Sequence, residues 1–131
     1  QEVFSKEVMA DLTYALKSVV NGGTGAAALS LGRPAAGKTG TSQSNASAWF
    51  AAYTPQLSAS VALFRDSASE SLNGIGGLTS VTGGTFPARI WTAFMKGALK
   101  GEPVMTFPAP SNIGGLEPIE MTTGGVQTRK D

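Results

Sequence analysis

The residues best suited to chemistry lie within residues 32–41, a stretch that ends in Lys38, Thr39, Gly40 and Thr41. The 131-residue chain has no histidine and no cysteine. A Ser-His-Asp triad, a histidine-ligated zinc ion and a thiolate metal site are therefore excluded. Any catalysis must use lysine, hydroxyl, carboxylate or backbone groups, and no cofactor or metal ion is predicted.

Residues 32–39 also match GxxxxGK[ST], the pattern of a loop that holds phosphates. In that interpretation Asp66, which follows an apolar run, would bind magnesium. A phosphate loop needs a buried strand before it and a helix that starts at the lysine. Residues 26–31 are weakly strand-like, residues 40–45 open a helix poorly, and Pro34 removes a backbone N–H from the loop. We therefore predict that this segment is not a phosphate loop.

Two amphipathic helices are predicted from apolar residues at helical spacing. The first covers residues 3–20 and ends at a pair of glycines. Its apolar residues are Phe4, Val8, Leu12, Leu16, Val19 and Val20. The second is capped by Thr85, has Pro87 in its first turn and stops at Gly101. Its apolar stripe is Ile90, Trp91, Phe94, Met95, Ala98 and Leu99.

Three strands are predicted between the helices, at residues 37–42, 47–53 and 57–65. The second is apolar and aromatic, and the third becomes continuously apolar, as buried strands do. The short connection at Pro55 and Gln56 predicts an antiparallel hairpin between them. The lysine, glycine and threonines of interest therefore fall on the first strand.

The overall composition is that of a globular protein, with 41% hydrophobic and 15% charged residues and a net charge of +1. So small a charge gives no electrostatic attraction to nucleic acid. Residues 1–101 are predicted to form part of one domain, and residues 102–131, rich in proline, glycine and threonine, a C-terminal tail. Two helices and three strands bury little surface, so the rest of the domain is expected to come from elsewhere. Trp49 and Trp91 are both expected in the core.

Four short motifs follow one another in the sequence: GTG at 23–25, GKTGT at 37–41, AWFAAYTP at 48–55, and GG followed by IW and FM within 83–95. The series resembles the transpeptidase domain of penicillin-binding proteins of the class A, bifunctional type, in which Lys-Thr-Gly is an active-site motif. The resemblance covers roughly residues 1–100. It departs at Ala52, where a glycine is usual, and at Ser47, where an acidic residue is common.

This resemblance implies the penicillin-recognising α/β fold, an antiparallel sheet flanked by helices, of which this chain supplies only the C-terminal part. It also implies acyl transfer: a serine attacks the penultimate D-Ala carbonyl of a peptidoglycan stem peptide, and an amine resolves the acyl-enzyme. Lys38 and Thr41 would be catalytic, Lys38 through its charge and Thr41 through its backbone N–H in the oxyanion hole. Lys38, Thr39, Gly40 and Thr41 would bind the substrate, the two threonine hydroxyls holding its terminal carboxylate.

The chain contains no Ser-x-x-Lys, so the nucleophile is expected on the remainder of the transpeptidase domain. Ser71, Leu72 and Asn73 spell S-x-N, but they follow the KTG segment, and we attribute the match to chance. The implied partners are a stem peptide ending in D-Ala-D-Ala, β-lactam antibiotics and that remainder of the domain. The implied location is the extracytoplasmic face of the bacterial cell membrane, with the anchor on an upstream segment.

Other functions remain open on the same scaffold. A D,D-carboxypeptidase or a β-lactamase-like serine hydrolase would use water in place of the amine. A non-catalytic binding or structural module would keep the fold without the chemistry. An upstream Ser-x-x-Lys would eliminate the non-catalytic alternative.

Overall fold

Two helices and one antiparallel sheet make up the computed structural model, which describes residues 3–67 and 69–113. In chain order the elements are α1 (Lys6–Asn21), β1 (Ala36–Thr41), β2 (Ser47–Tyr53), β3 (Ser58–Phe64) and α2 (Phe86–Ala98). Short 3₁₀ turns occupy Ala26–Leu31, Gln43–Asn45 and Ile75–Gly77. This is the predicted order of one helix, three strands and a second helix, with shifts of only a few residues at the boundaries.

The sheet has the strand order β1-β2-β3, with both pairs antiparallel. The hairpin between β2 and β3 closes at the predicted place, where the Thr54 N–H donates to the Leu57 carbonyl at 2.9 Å. Along β2 the burial alternates: Ala48, Phe50 and Ala52 are buried, while the residues between them face the other side. The two faces of the sheet therefore have different environments.

The buried face of the sheet packs on α2. The rings of Phe50 and Trp91 meet edge to face with their centroids 5.4 Å apart. The Trp91 indole N–H donates to the Ala52 carbonyl at 3.2 Å and the Ala59 carbonyl at 3.1 Å, so one side chain links α2 to both β2 and β3. Met95 is fully buried in the same cluster. The expectation that Trp91 lies in the core is confirmed.

Several predicted core residues are exposed instead. Trp49 is 46% exposed because it points to the sheet face opposite Phe50, so its assignment to the core was wrong for this chain. Phe4, which was predicted on the first helix, lies before the start of α1 and is 61% exposed. Exposed large apolar residues on α1 and α2 include Val8, Leu12, Ile90 and Phe94. These four side chains are 40–55% exposed among the described residues, so the apolar surfaces of both helices extend beyond the core.

The ends of α2 are held differently from the prediction. Thr85 stands at its N-cap, but the Thr85 hydroxyl donates to the Thr82 carbonyl at 2.7 Å and does not cap the helix. At the other end the Arg33 guanidinium donates to the carbonyls of Leu99 and Glu102, at 3.2 Å and 3.4 Å. A cation at this position satisfies free carbonyls and interacts favourably with the helix dipole.

Residues 102–113 contain no helix or strand, yet they lie against the rest of the chain. The Gln56 side-chain amide donates to the Pro103 carbonyl at 3.0 Å, and the rings of Tyr53 and Phe107 are 5.5 Å apart. The Asp11 carboxylate of α1 accepts the backbone N–H groups of residues 111–113 at 2.6–2.9 Å. The domain boundary at residue 101 stays a prediction, and most of the predicted tail, residues 114–131, lies outside the described residues.

Acid is predicted to loosen the attachment of residues 111–113 to α1. The hydrogen bond from the Asn112 N–H, together with those of Ile113 and Ser111, lowers the pKa of Asp11 below its usual value. Because the pKa is lower in the attached state, the attachment is at full strength above the ordinary pKa of about 3.9 and weakens as the pH falls through the lowered value. The backbone amide chemical shifts of residues 111–113 should therefore be constant from pH 7 to about pH 5 and change below about pH 4.

Asp11→Asn should remove this acid-dependent change, because the amide side chain does not titrate. Asp66→Asn, which changes an acidic residue in the loop after β3, is the matched control and should leave the change in place. An Asp11→Asn variant whose amides still shift below pH 4 would show that another group controls the attachment.

Candidate active site

The residues singled out from the sequence lie on β1, whose pairing with β2 decides where each side chain points. Lys38 is opposite Ala51, and Gly40 is opposite Trp49, so these residues share the exposed face of the sheet. Thr39 is opposite the buried Phe50 and points, with Thr41, to the side on which α2 packs. Successive residues of a strand face opposite sides, so the lysine and the two threonines cannot share a face.

The backbone groups of Thr39 and Thr41 face away from β2. In an antiparallel pair, residues that direct their N–H and C=O toward the partner strand alternate with residues that direct them away. The Ser42 N–H donates to the Ser47 carbonyl at 3.0 Å, so Ser42 faces β2 and its neighbour Thr41 does not. In the part of the chain that the structure describes, no strand pairs with the outer side of β1. The N–H groups of both threonines therefore point toward an open sheet edge.

Lys38 and Gly37 border a shallow groove on the exposed face. The groove, of about 490 Å³, is lined by Leu16 of α1, by Lys38 and Gly37, and by small or aromatic residues of β2 and β3. The exposed Lys38 ammonium donates to the carbonyl of Thr39 at 2.9 Å. At Gly40 an added methyl group would find its nearest neighbour, the Trp49 Cβ, at 3.4 Å, an ordinary contact. The fold of this chain therefore accommodates a methyl group at Gly40 without overlap.

The two threonine hydroxyls meet groups from other parts of the chain. The Thr39 hydroxyl lies 2.6 Å from the hydroxyl of Thr24, in the turn after α1. The Thr41 hydroxyl accepts the backbone N–H of Gly83, in the loop before α2, at 3.2 Å. Thr24 and Gly83 both belong to motifs noted in the sequence, but no role was predicted for either. Their contacts span 15 and 42 residues, so only the folded chain reveals them.

Gly83 and Gly84 are needed because the loop before α2 runs directly over the strands. A Cβ on Gly83 would overlap the Trp49 carbonyl and lie 2.8 Å from the Gly40 carbonyl oxygen. A Cβ on Gly84 would overlap the carbonyl of Thr24. Glycine is the residue that permits such a close approach of two backbones. The pair therefore holds the turn after α1, the loop before α2 and β1 together.

The phosphate-loop alternative is contradicted by the course of the chain. Strand β1 continues through Lys38 to Thr41, whereas a phosphate loop requires a helix to begin at the lysine. The S-x-N residues lie in the loop before α2, where the Asn73 side chain accepts a hydrogen bond from Asn45 at 2.8 Å. Among residues 3–67 and 69–113, no three histidine, cysteine, aspartate or glutamate side chains gather as metal ligands would.

Known proteins are similar to this chain in sequence and in fold. Residues 1–72 match the sequence model of the family described as "Penicillin binding protein transpeptidase domain". This match covers more than half of the 131 residues. The chain belongs to this transpeptidase family. The resemblance inferred from the GKTGT segment and the motifs around it is thereby confirmed.

Two relatives of the transpeptidase segment carry the name Penicillin-binding protein 1A. The protein from Mycolicibacterium smegmatis is 37% identical over 120 residues, which are 88% of this chain and 15% of the relative. The protein from Mycobacterium tuberculosis is 42% identical over 89 residues, which are 64% of this chain and 11% of the relative. The chain thus spans only a small part of the length of these relatives.

Solved structures confirm the predicted fold of the transpeptidase segment. The penicillin-binding protein PonA1 from Mycobacterium tuberculosis has a TM-score of 0.75 and 33% identity, with 95% of this chain and 33% of that chain covered. A structure of PonA1 in complex with penicillin V has a TM-score of 0.69 and 36% identity, with 80% and 29% covered. The penicillin-recognising α/β fold expected from the sequence is therefore confirmed.

The close approach at Gly83 predicts a large effect of a single methyl group. Gly83→Ala should lower the free energy of unfolding by about 1–3 kcal/mol, because the loop must move off the backbone of β1 and β2. Gly97→Ala is the matched control, since a Cβ on this exposed residue of α2 would meet nothing within 4 Å. It should stabilise the chain by about 0.5–1 kcal/mol. Urea unfolding of the two variants measures both effects, and equal results would refute the packing argument.

Proposed function

We propose that this chain is the KTG-bearing part of a peptidoglycan D,D-transpeptidase, an enzyme that cross-links stem peptides through a serine acyl-enzyme and is acylated by β-lactams. Family membership supports the reaction class. The observation that carries the proposal is the open edge of β1, where outward N–H groups, two threonine hydroxyls and a lysine lie within four consecutive residues.

The open edge suits a peptide substrate. A stem peptide could lie alongside β1 as an added strand and pair with the outward N–H and C=O groups of Thr39 and Thr41. The N–H of Thr41 would then be one donor of the oxyanion hole, where it stabilises the negative charge of the tetrahedral intermediate. The hydroxyls of Thr39 and Thr41 would donate to the terminal carboxylate of the D-Ala-D-Ala end.

Lys38 would act from the other face of the strand. Its ammonium donates to a backbone carbonyl of its own strand, an interaction that a substrate carboxylate or a catalytic hydroxyl could replace. The positive charge would favour binding of the substrate carboxylate and the ionised forms that acyl transfer requires. Gly40, beside it, would leave space for the substrate backbone.

The serine must come from the remainder of the transpeptidase domain, and the exposed apolar surface supports its docking on this chain. Trp49 and Phe64 are 46% and 68% exposed on the exposed face of the sheet, the face that carries the groove. Among the described residues, β3 has no partner strand on its outer side. Phe94 on α2 is 55% exposed. Large exposed apolar patches mark interaction sites in soluble proteins. We assign it to the segment that carries Ser-x-x-Lys, which would cover the groove and complete the active site.

We also propose that the enzyme acts on the extracytoplasmic face of the bacterial cell membrane, where peptidoglycan is cross-linked. Within the described residues, no helix has both the length and the apolar character needed to cross a membrane. An anchor would belong to a segment upstream of this chain.

Labelling by a fluorescent penicillin tests the proposed reaction and the role of Lys38. The test uses the longer protein that contains both this chain and the segment with Ser-x-x-Lys. The serine of that segment should be acylated. Lys38→Ala should slow acylation about 100-fold or more, the range typical of lost charge or proton transfer at an active site. Lys100→Ala changes an exposed lysine after α2 and should label at the normal rate. Failure of the unmodified protein to label would sink the transpeptidase proposal and leave a non-catalytic module.

The space beside Gly40 provides a second test. Gly40→Ala should leave the melting temperature nearly unchanged, because the added methyl group meets only an ordinary contact at 3.4 Å. It should slow penicillin acylation about tenfold or more if the ligand lies against this residue, since overpacking costs about 1–3 kcal/mol. Gly37→Ala is the contrasting variant, because its Cβ would overlap Ala52 and should destabilise the fold itself. Unimpaired labelling of Gly40→Ala would place the substrate elsewhere.

A further inference from the structure

The hydroxyls of Thr24 and Thr39 form a short hydrogen bond of 2.6 Å at the KTG strand. It joins the turn after α1 to the strand that carries the proposed site. A hydroxyl can donate one hydrogen bond and accept others. If the Thr39 hydroxyl donates its one hydrogen bond to a substrate carboxylate, its oxygen remains free to accept a hydrogen bond from the Thr24 hydroxyl.

Thr24 is fixed in place by the glycines around it. The Gly25 N–H donates to the Val19 carbonyl at 2.8 Å, which closes the end of α1. A Cβ on Gly25 would lie 2.8 Å from the ring of the buried Phe50, so this turn is pressed onto the core. The backbone of Gly84 also lies against the Thr24 carbonyl. The hydroxyl of Thr24 is therefore presented to β1 by a backbone that has little freedom to move.

We propose that Thr24 is a positioning residue for carboxylate recognition. Its hydroxyl donates to the oxygen of Thr39, so that the Thr39 proton points outward to the carboxylate of the substrate or β-lactam. Hydrogen bonds in such a chain strengthen one another, because each donor becomes more polarised when it also accepts. Thr24 does not touch the ligand in this arrangement and acts only through Thr39. The inference rests on the proposed transpeptidase function of the site.

The test compares two ligands that differ only in the carboxylate, benzylpenicillin and its methyl ester. It uses the longer protein that contains both this chain and the segment with Ser-x-x-Lys. The measured quantity is the second-order rate constant of acylation by each ligand. Thr24→Val removes the hydroxyl at nearly constant volume. It should lower the preference for benzylpenicillin over the ester about three- to tenfold, the effect of one hydrogen bond. Thr24→Ser keeps the hydroxyl and should retain the preference.

A second pair of variants separates positioning from structure. In a Thr39→Val background, Thr24→Val should have no further effect, because the group through which it acts is gone. Thr24→Ala removes the same hydroxyl and should lower the preference in the same way. It takes the place of Thr24→Val if the valine variant fails to fold. Melting temperatures accompany every rate measurement.

The outcomes are distinct. An unchanged preference in Thr24→Val, equal slowing of both ligands, loss of the preference in Thr24→Ser, or unfolding of both the valine and alanine variants would each overturn the positioning role. Each of these results leaves the transpeptidase proposal intact as long as the unmodified protein is acylated. If the unmodified protein is not acylated by benzylpenicillin, the proposed function fails and this inference fails with it.

Discussion

The register between β1 and β2 is the constraint on which the proposed site depends. It sets Lys38 on the groove face, turns the hydroxyls of Thr39 and Thr41 toward Thr24 and Gly83, and directs the threonine N–H groups to the open edge. A shift by one residue would exchange the two faces of β1. It would also direct the outward N–H groups toward β2, where they would pair with that strand. Four consecutive residues thus acquire three different environments from one pairing pattern.

Close backbone contact preserves this register. Phe50 and Trp91 fix the sheet to α2, and the indole N–H of Trp91 spans the carbonyls of two strands. On the same side, Gly83 and Gly84 allow the loop before α2 to rest on β1 and on the turn after α1. The packing of the core therefore also determines the geometry of the site. A side chain added on the face of β1 that packs toward α2 would shift the groups at its open edge.

The sequence was informative where a local pattern determines structure. Periodicity located both helices and all three strands, and Pro55 with Gln56 located the hairpin, because these signals act over neighbouring residues. It failed for side chains whose partners are distant or belong to another segment. Trp49 was expected in the core, yet it is exposed in this chain. The hydroxyl pair of Thr24 and Thr39 depends on how a turn packs against a strand, which no periodicity encodes.

The contact of Asp11 with residues 111–113 has a consequence for the order of folding. The bonded groups are 100–102 residues apart, so nearly the whole described chain separates them. Closing a loop of about 100 residues costs about 2 kcal/mol more in chain entropy than closing one of about ten. The helices and the hairpin rely on much nearer contacts and can form earlier. During synthesis, α1 exists before residues 111–113 do, so it receives this attachment only after the 100 residues that separate the bonded groups have been added.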